Sequence, residues 1–288
     1  MTIVVARRSL PPTLSPAQKT VMHPYTVPAS IKDRVVSRQG RLTSHDTVAA
    51  ARTALVVVDM QNYFVAEGFP LEVPNARGIV PNINRLARTL RAAGGTVVWV
   101  QTTAVGALEH WANHHRHMLT PERSVTRLAH LDEKAEGFAL YPKLEPLPTD
   151  LHVKKIKYSA FIHGSSDIDV KLRSRGIESL LITGTLTNVC CESTARDAMM
   201  LDYRVVMITD GNASLTNEEH AASLNNFLSY FGDVLTTEET IARLVPTEAR
   251  QSARREAQRR RMTADSSQEI ARYISDETFR GQFARQQF

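Results

Sequence analysis

Two hydrophobic patterns alternate along the middle of the chain. The first is a short run that is apolar on both faces, as in TALVVVDM at 53–60 and TVVWVQT at 96–102. Runs of this kind predict strands of a parallel sheet that is covered on both sides. The second pattern places apolar residues every three or four positions, as at 75–93, and predicts an amphipathic helix.

The same patterns predict the other elements of the core. Further strands are expected at 151–155, 179–182, 204–209 and 232–235, and further helices at 168–175, from the cysteines to about residue 201, and at 217–230 and 237–244. Because strands and helices alternate, we expect βαβ units and an α/β fold.

Three segments lack this alternation. Residues 1–45 are polar, with scattered prolines, and predict an N-terminal arm on the surface or on a neighbouring subunit, with a short helix near 31–36. Residues 103–149 have no sustained period and are rich in histidine, which is typical of a functional lid. Residues 247–288 are rich in helix formers and predict a basic, helical C-terminal tail. The globular domain is therefore predicted at 46–246.

Composition narrows the class of protein. The formal net charge of the 288 residues is +5, and much of it lies in the tail, where arginines are interleaved with glutamates. That pattern favours a solvated helix or a subunit contact over a nucleic-acid surface. The two cysteines are adjacent and cannot easily pair with each other, which suits a reducing cytoplasm. Because no run is typical of a signal peptide or a membrane span, we expect a cytoplasmic protein without a membrane partner.

The stretch TGTLTNVCCESTARDA at 183–198 carries the most reactive chemistry. It follows the strand predicted at 179–182 and begins a helix, so that Cys190 and Cys191 lie at a helix start. Unpaired N–H groups and the helix dipole favour an anion there. We therefore expect a lowered thiol pKa, and N–H groups that can hold the oxyanion formed when a thiolate attacks a carbonyl.

Charged side chains end two other predicted strands. Asp59 ends the first, at the edge where open α/β sheets place their ligands, and near a cysteine this favours a general base over a turn cap. Lys154 and Lys155 end the third strand and point to opposite faces. The residues alone leave Lys154, Lys155 and the nearby Lys157 open as the cation of the site.

Three phrases together, VVVDMQNYF, KKIKYSAF and GTLTNVCCESTARDA, resemble the isochorismatase-like cysteine hydrolase superfamily over roughly residues 50–245. Within it, the KxxYSAF turn and the N-terminal arm resemble the ureidoacrylate and biuret amidohydrolases. The resemblance implies a three-layer α/β/α sandwich with a doubly wound, mostly parallel, Rossmann-like sheet of six strands. It also implies a homo-oligomer, either a dimer or a tetramer, and an enzyme that needs no cofactor.

The resemblance also assigns roles to individual residues. The family's amidases use an Asp, a Lys and a Cys, which match Asp59, Lys155 and Cys190. The family carries a cis peptide bond before the nucleophile, and by position this bond joins Thr185 to Leu186. The N–H groups of Leu186 and Cys190 would then form the oxyanion site. The activity implied is hydrolysis of a C–N bond in a small amide or ureido compound through a thioester, with release of ammonia or an amine.

The sequence departs from the family in two places. Tyr63 stands where many relatives have Asp in a DMQND phrase, a change that would alter the shape of the pocket. The D-x-H-x-x-H phrase of the metal-binding nicotinamidases is replaced by TTAVGALEHWANHH, which lacks the Asp and the spacing. We therefore expect no catalytic metal, and we interpret the histidines of the lid as a solvated face.

Other assignments stay open at this point. Phe64, Gln101, Trp111 and Tyr158 are predicted to contact the substrate, although each is also compatible with ordinary packing. The alternative activities are a vinyl-ether hydrolase of the isochorismatase type, which needs no thiol, and a nicotinamidase. The non-enzymatic alternative is a scaffold that uses the basic tail to bind an acidic partner.

Overall fold

A computed structural model of the chain describes residues 22–245. In that range six strands form one parallel sheet in the spatial order β4-β3-β2-β5-β6-β7, and β1 pairs with β8 in a separate two-stranded sheet. In chain order the strands are β1 (Val48–Ala49), β2 (Thr53–Val58), β3 (Thr96–Thr102), β4 (Leu151–Lys155), β5 (Ser179–Thr185), β6 (Arg204–Ala213), β7 (Asp233–Leu235) and β8 (Leu244–Val245). The parallel six-stranded sheet of the predicted α/β fold is confirmed.

Helices cover both faces of this sheet. Within the described residues they are α1 (Ala29–Gln39), α2 (Asn62–Val65), α3 (Ala76–Ala92), α4 (Ala107–His110), α5 (Pro121–His130), α6 (Ile168–Arg173), α7 (Glu192–Met200), α8 (Asn217–Tyr230) and α9 (Thr237–Arg243). Leu55 and Val57 of β2 face the core under α3, while Val56 and Val58 face the core under α7 and α8. β2 is therefore apolar on both sides because both sides are covered.

The chain reverses its direction of travel across the sheet between β2 and β5. From β2 it adds β3 and β4 on one side, then crosses back to add β5, β6 and β7 on the other. A crevice opens outside the carboxyl ends of the strands at such a switch point, and ligands bind there. The residues that follow β2 and β5 therefore meet at the place where a site is expected.

The segment at 103–149, which the sequence predicts as a lid without a sustained period, is partly helical. It contains α4, α5 and a π-helical turn at His114–Met118. At the start of α5, Thr120 accepts a hydrogen bond from the N–H of Arg123, and Pro121 occupies the first turn. The buried side chains of α5 are Ser124 and Arg127, whereas its apolar Val125 is exposed, so the buried face of this helix is polar.

Part of the predicted arm packs on the domain. The helix expected near 31–36 is α1, and its Val35 is wholly buried in the same core as α8. Before α1, the ring of His23 stacks on that of His220, with centroids 4.5 Å apart. Residues 1–21 of the predicted arm and the predicted tail at 247–288 lie outside the described residues.

A close approach between β5 and β2 fixes the edge of the sheet. Gly184 of β5 is the register partner of Val58, the last residue of β2. Its φ is 121°, and a Cβ at this position would overlap with the carbonyl oxygen of Val58. Glycine is required here, and it holds the end of β2 against the turn that follows β5.

Replacing Gly184 with alanine tests this constraint. We expect Gly184→Ala to lower the free energy of unfolding by about 3 kcal/mol, because β5 must move away from β2 to make room. The matched control is Gly176→Ala, where φ is also positive at 66° but nothing lies within 4 Å of the added methyl group. The control should lose only about 1–2 kcal/mol. Equal losses in urea unfolding would contradict the steric argument.

Candidate active site

Asp59 is the first residue after β2 and is wholly buried. Its φ is 53°, a left-handed conformation that few residues other than glycine adopt. The backbone N–H of Asp59 donates to the carbonyl of Val100 on β3, at 2.8 Å. The kink in the chain turns the carboxylate away from the strand direction and into the crevice.

Lys155 lies at the end of β4, next to that carboxylate. Its Nζ is 2.7 Å from Asp59 Oδ2, and both side chains are buried. Nζ also donates to Thr102 Oγ1 at 2.7 Å, and Thr102 Oγ1 donates to Asp59 Oδ1 at 2.8 Å. Thr102 and Lys155 are register partners, so the pairing of β3 with β4 places all three groups together.

The two other lysines near this strand end, Lys154 and Lys157, have partners away from Asp59. Lys154 points to the opposite face, is exposed, and pairs with Glu133 at 2.5 Å. Lys157 is held through its Nζ by the carbonyl of His163 at 2.8 Å. Of the three lysines left open by the sequence, Lys155 is the one in contact with Asp59.

Cys190 lies in a π-helical turn, Thr187–Cys191, that joins β5 to α7. Burial raises the pKa of the Cys190 thiol to about 12. The charge of Lys155 opposes this, while the charge of Asp59 and a hydrogen bond to its carboxylate raise the pKa further. The expected lowering of the thiol pKa is therefore not observed, because burial and the adjacent carboxylate outweigh the helix start. In the resting site the thiol keeps its proton and directs it towards Asp59.

The backbone before Cys190 has the expected cis peptide bond. The Thr185–Leu186 peptide bond is cis. The carbonyl of Leu186 accepts the N–H groups of Val189 and Cys191 at 3.2 and 3.1 Å, which closes the turn. Cys191 is wholly buried, with Sγ 3.9 Å from the carbonyl of Thr183, so its side chain packs in the core as expected.

The predicted contact residues divide into two groups. Phe64 is buried on α2 against Tyr63. Gln101 lies on the opposite pleat from Thr102, and its amide donates to the carbonyl of Phe138 at 2.9 Å. Gln101 therefore tethers the lid.

The other two predicted residues form an aromatic cluster between the lid and the turn after β4. Trp111 and Tyr158 meet edge to face with centroids 4.7 Å apart, and Trp111 stacks on His114 at 3.9 Å. The pKa of Tyr158 is raised, first by burial and then by the charge of Cys190, while Lys155 opposes the shift. Trp111 and Tyr158 thus lie together on the side of the site that the lid covers.

The interpretation of the histidines as a solvated face is wrong for His114 and His115. Both are buried in this aromatic cluster. Burial lowers the pKa of His114 to about 4, with the charge of Arg127 adding to the effect, and it lowers the pKa of His115 in the same way. Both rings are therefore neutral near pH 7. Within residues 22–245, no group of three His, Cys, Asp or Glu side chains is arranged to hold a metal ion.

Sequence reasoning missed two polar residues of this site, Thr102 and Arg127. The signal for Thr102 is the alternation of β3, because the pleat that carries Val98 and Val100 carries Thr102 towards Lys155. Arg127 gives no such signal, because the buried face of α5 is polar and a charged residue on a helix is ordinarily read as exposed. Its side chain is buried, with only 8% of its surface exposed.

Comparisons with known proteins identify the family to which this fold belongs. The Isochorismatase domain family matches residues 53–239. The ureidoacrylate amidohydrolase RutB of Variovorax paradoxus (strain S110) is 34% identical over 216 residues, which cover 69% of this chain and 84% of the relative. A cysteine hydrolase from Pseudomonas syringae pv. phaseolicola 1448A has a TM-score of 0.60 at 30% identity, covering 68% of this chain and 93% of that one. The N-carbamoylsarcosine amidase from Thermoplasma acidophilum, at 24% identity and a TM-score of 0.52, shares the fold.

Two lysine variants test the buried ion pair. Lys155→Met leaves the carboxylate of Asp59 buried without a cation, and we expect the free energy of unfolding to fall by about 3–5 kcal/mol. Lys154→Met removes the exposed partner of Glu133 and should cost less than about 1 kcal/mol. Urea unfolding at pH 7 measures both changes. A Lys155→Met protein as stable as Lys154→Met would mean that the pair contributes nothing to the fold.

Proposed function

Because the chain belongs to the isochorismatase family, we propose that it is a cysteine-dependent hydrolase of a C–N bond in a small amide or ureido compound. The observation that carries the proposal is the buried contact between the carboxylate of Asp59 and the ammonium of Lys155, with the thiol of Cys190 beside them. A thiol, a proton acceptor and a fixed positive charge are the groups that acyl transfer requires. The name of the Variovorax relative, a ureidoacrylate amidohydrolase, supports a ureido substrate.

The first half of the proposed reaction moves one proton and forms one bond. Asp59 accepts the proton of the Cys190 thiol as the sulfur attacks the carbonyl carbon. The negative charge then moves to the carbonyl oxygen, where the N–H groups of Leu186 and Cys190 stabilise it. Lys155 stays positively charged throughout and holds the carboxylate of Asp59 in place together with Thr102.

The second half restores the enzyme. Asp59 gives its proton to the leaving nitrogen, which departs as ammonia or an amine and leaves a thioester on Cys190. The carboxylate of Asp59 then takes a proton from water, whose oxygen attacks the thioester carbon. Asp59 passes that proton to the sulfur as it leaves, which restores the thiol and the carboxylate. A ureido substrate gives a carbamate in this step, which decomposes to carbon dioxide and an amine or ammonia. No step uses a cofactor or a metal.

The same reasoning favours amide chemistry over the alternative activities. A vinyl-ether hydrolase needs a carboxylic acid and no thiol, whereas here the thiol lies against the carboxylate. The metal-binding nicotinamidase phrase is missing from the sequence. The basic tail, on which a scaffold role would rest, lies outside the described residues.

We further propose that the protein works in the cytoplasm as a homo-oligomer. Both cysteines are free thiols, and the reaction needs Cys190 to remain reduced, which a reducing compartment ensures. No helix within residues 22–245 has the length and apolar character needed to cross a membrane. Several large apolar side chains are exposed and available for subunit contacts, among them Val105, Val125, Val170 and Met200.

Ammonia release from a panel of small amides and ureido acids tests the proposed chemistry. We expect Cys190→Ala to lower turnover by about a thousandfold or more, because no other side chain replaces the nucleophile. The matched control is Cys191→Ala, which removes an adjacent buried thiol that faces Thr183, and it should retain turnover within about threefold of the wild type.

Circular dichroism of each variant establishes that it is folded before activity is compared. Turnover that survives in folded Cys190→Ala would overturn the thioester mechanism. A folded wild-type protein that releases no ammonia from any compound of the panel would overturn the amidase assignment, and vinyl ethers would then be tried.

A further inference from the structure

Arg127 is a buried cation without a carboxylate partner among the described residues. Only 8% of its surface is exposed, yet it forms no ion pair with an Asp or Glu of residues 22–245. The partly buried Arg91, in contrast, pairs with Asp150 at 2.5 Å. Burying a guanidinium without a counter-charge is unfavourable, so an unpaired buried arginine usually has a ligand.

The buried tyrosine and histidine side chains that interact with Arg127 are neutral. The hydroxyl of Tyr63 accepts a hydrogen bond from the guanidinium, and burial keeps Tyr63 protonated because it raises the pKa of the phenol. His114 and His115, which also feel the charge of Arg127, have pKa values lowered by burial and are uncharged near pH 7. The carboxylate of Glu122, one turn away, is exposed and bonds at the start of α5 with Thr120.

The position of Arg127 connects the lid with the catalytic groups. On one side it lines a cavity of about 250 Å³ together with Tyr63 and Leu119, and the exposed, oppositely charged Glu122 and Arg123 line the same cavity. On the other side its charge acts on Cys190, Lys155 and Tyr158, where it opposes the effects of burial on the two acidic groups. The guanidinium therefore lies within electrostatic reach of the thiol.

Charge balance decides what Arg127 can bind. The charges of Asp59 and Lys155 cancel within their ion pair, and Cys190 is a neutral thiol at rest. With the histidines neutral as well, Arg127 gives the buried groups of this region one uncompensated positive charge, while the exposed charges of Glu122 and Arg123 cancel each other. A ligand that carries one negative charge removes the imbalance, and a carboxylate matches the two parallel N–H donors of a guanidinium.

We propose that Arg127 binds a carboxylate group of the substrate, so that the enzyme selects amides or ureido compounds that are also acids over neutral compounds of the same size. This inference rests on the proposed function, because it assigns the substrate class of the same site. Arg127 is then a specificity-determining residue, while bond cleavage stays with the groups at the edge of the sheet.

The test compares two ureas that differ only at the anionic end. They are 3-ureidoacrylate and 1-propenylurea, in which a methyl group replaces the carboxylate. We expect Arg127→Gln to raise KM for the acid about 10- to 100-fold, as for the loss of a charge-assisted hydrogen bond, and to change KM for the neutral urea by less than about threefold. Arg127→Lys keeps the positive charge but lacks the two parallel N–H donors of the guanidinium, so its KM for the acid should lie between those of the wild type and Arg127→Gln.

Two further variants serve as controls. Arg123→Gln removes an exposed arginine on the same helix and at the same cavity, and KM for the acid should change by less than twofold. Tyr63→Asp gives Arg127 an internal carboxylate that competes with the substrate, so KM for the acid should rise as in Arg127→Gln. Tyr63→Phe introduces no charge and should bind the acid nearly as well as the wild type.

Binding measured by calorimetry separates this inference from the proposed reaction. In a Cys190→Ala background the acid should bind more tightly than the neutral urea, and this preference should disappear in Arg127→Gln. If that preference is found while the wild type turns over neither compound, the proposed hydrolysis fails and the carboxylate site stands. If the wild type hydrolyses both ureas equally well, or if Arg127→Gln weakens both equally, the carboxylate site is overturned and the hydrolase stands.

Discussion

The ion pair between Asp59 and Lys155 is the interaction on which the site depends. Two buried charges at 2.7 Å are costly to desolvate, and each would be far more costly alone. They persist because three adjacent strands deliver their parts to one point. The carboxylate of Asp59 follows the carboxyl end of β2, the hydroxyl of Thr102 lies at that of β3, and the ammonium of Lys155 lies at that of β4. The sheet therefore holds the two charges at the short distance that offsets the cost of burying them.

The pair explains why a buried thiol can react although its pKa is raised. A thiolate formed at rest would lie in a dry site beside a carboxylate, and both effects oppose it. In the proposed mechanism the charge does not remain on the sulfur during attack but moves to the substrate oxygen, while the proton moves to Asp59. Proton transfer and bond formation are thus expected to occur together, and the fixed ammonium of Lys155 keeps the carboxylate oriented as its charge changes.

Residues at the ends of the strands could be predicted from the sequence, whereas residues of the lid could not. The strands are predictable because a covered sheet demands apolar runs, and the residues at their ends, such as Asp59, then follow from the topology. The alternation of side chains along β3 also predicts that Thr102, and not Gln101, faces Lys155, since alternate residues face opposite sides of the sheet. The lid is different, because its short helices bury few apolar residues and its aromatic cluster joins Trp111 to Tyr158 across a long separation in the chain. No local pattern records such contacts, and Arg127 therefore emerges only in three dimensions.

The arrangement separates two functions that a single cation could not combine. Lys155 must remain paired with Asp59 in order to orient it, so its charge is not free for a ligand. The charge of Arg127 lowers the pKa of the Cys190 thiol as long as the site is empty, although burial dominates. A bound carboxylate would cancel that effect and keep the thiol protonated until a carbonyl carbon is in position for attack. Under the carboxylate proposal, Arg127 of the lid thus binds one end of the substrate. Cys190 at the edge of the sheet stays a neutral thiol until it attacks the other end.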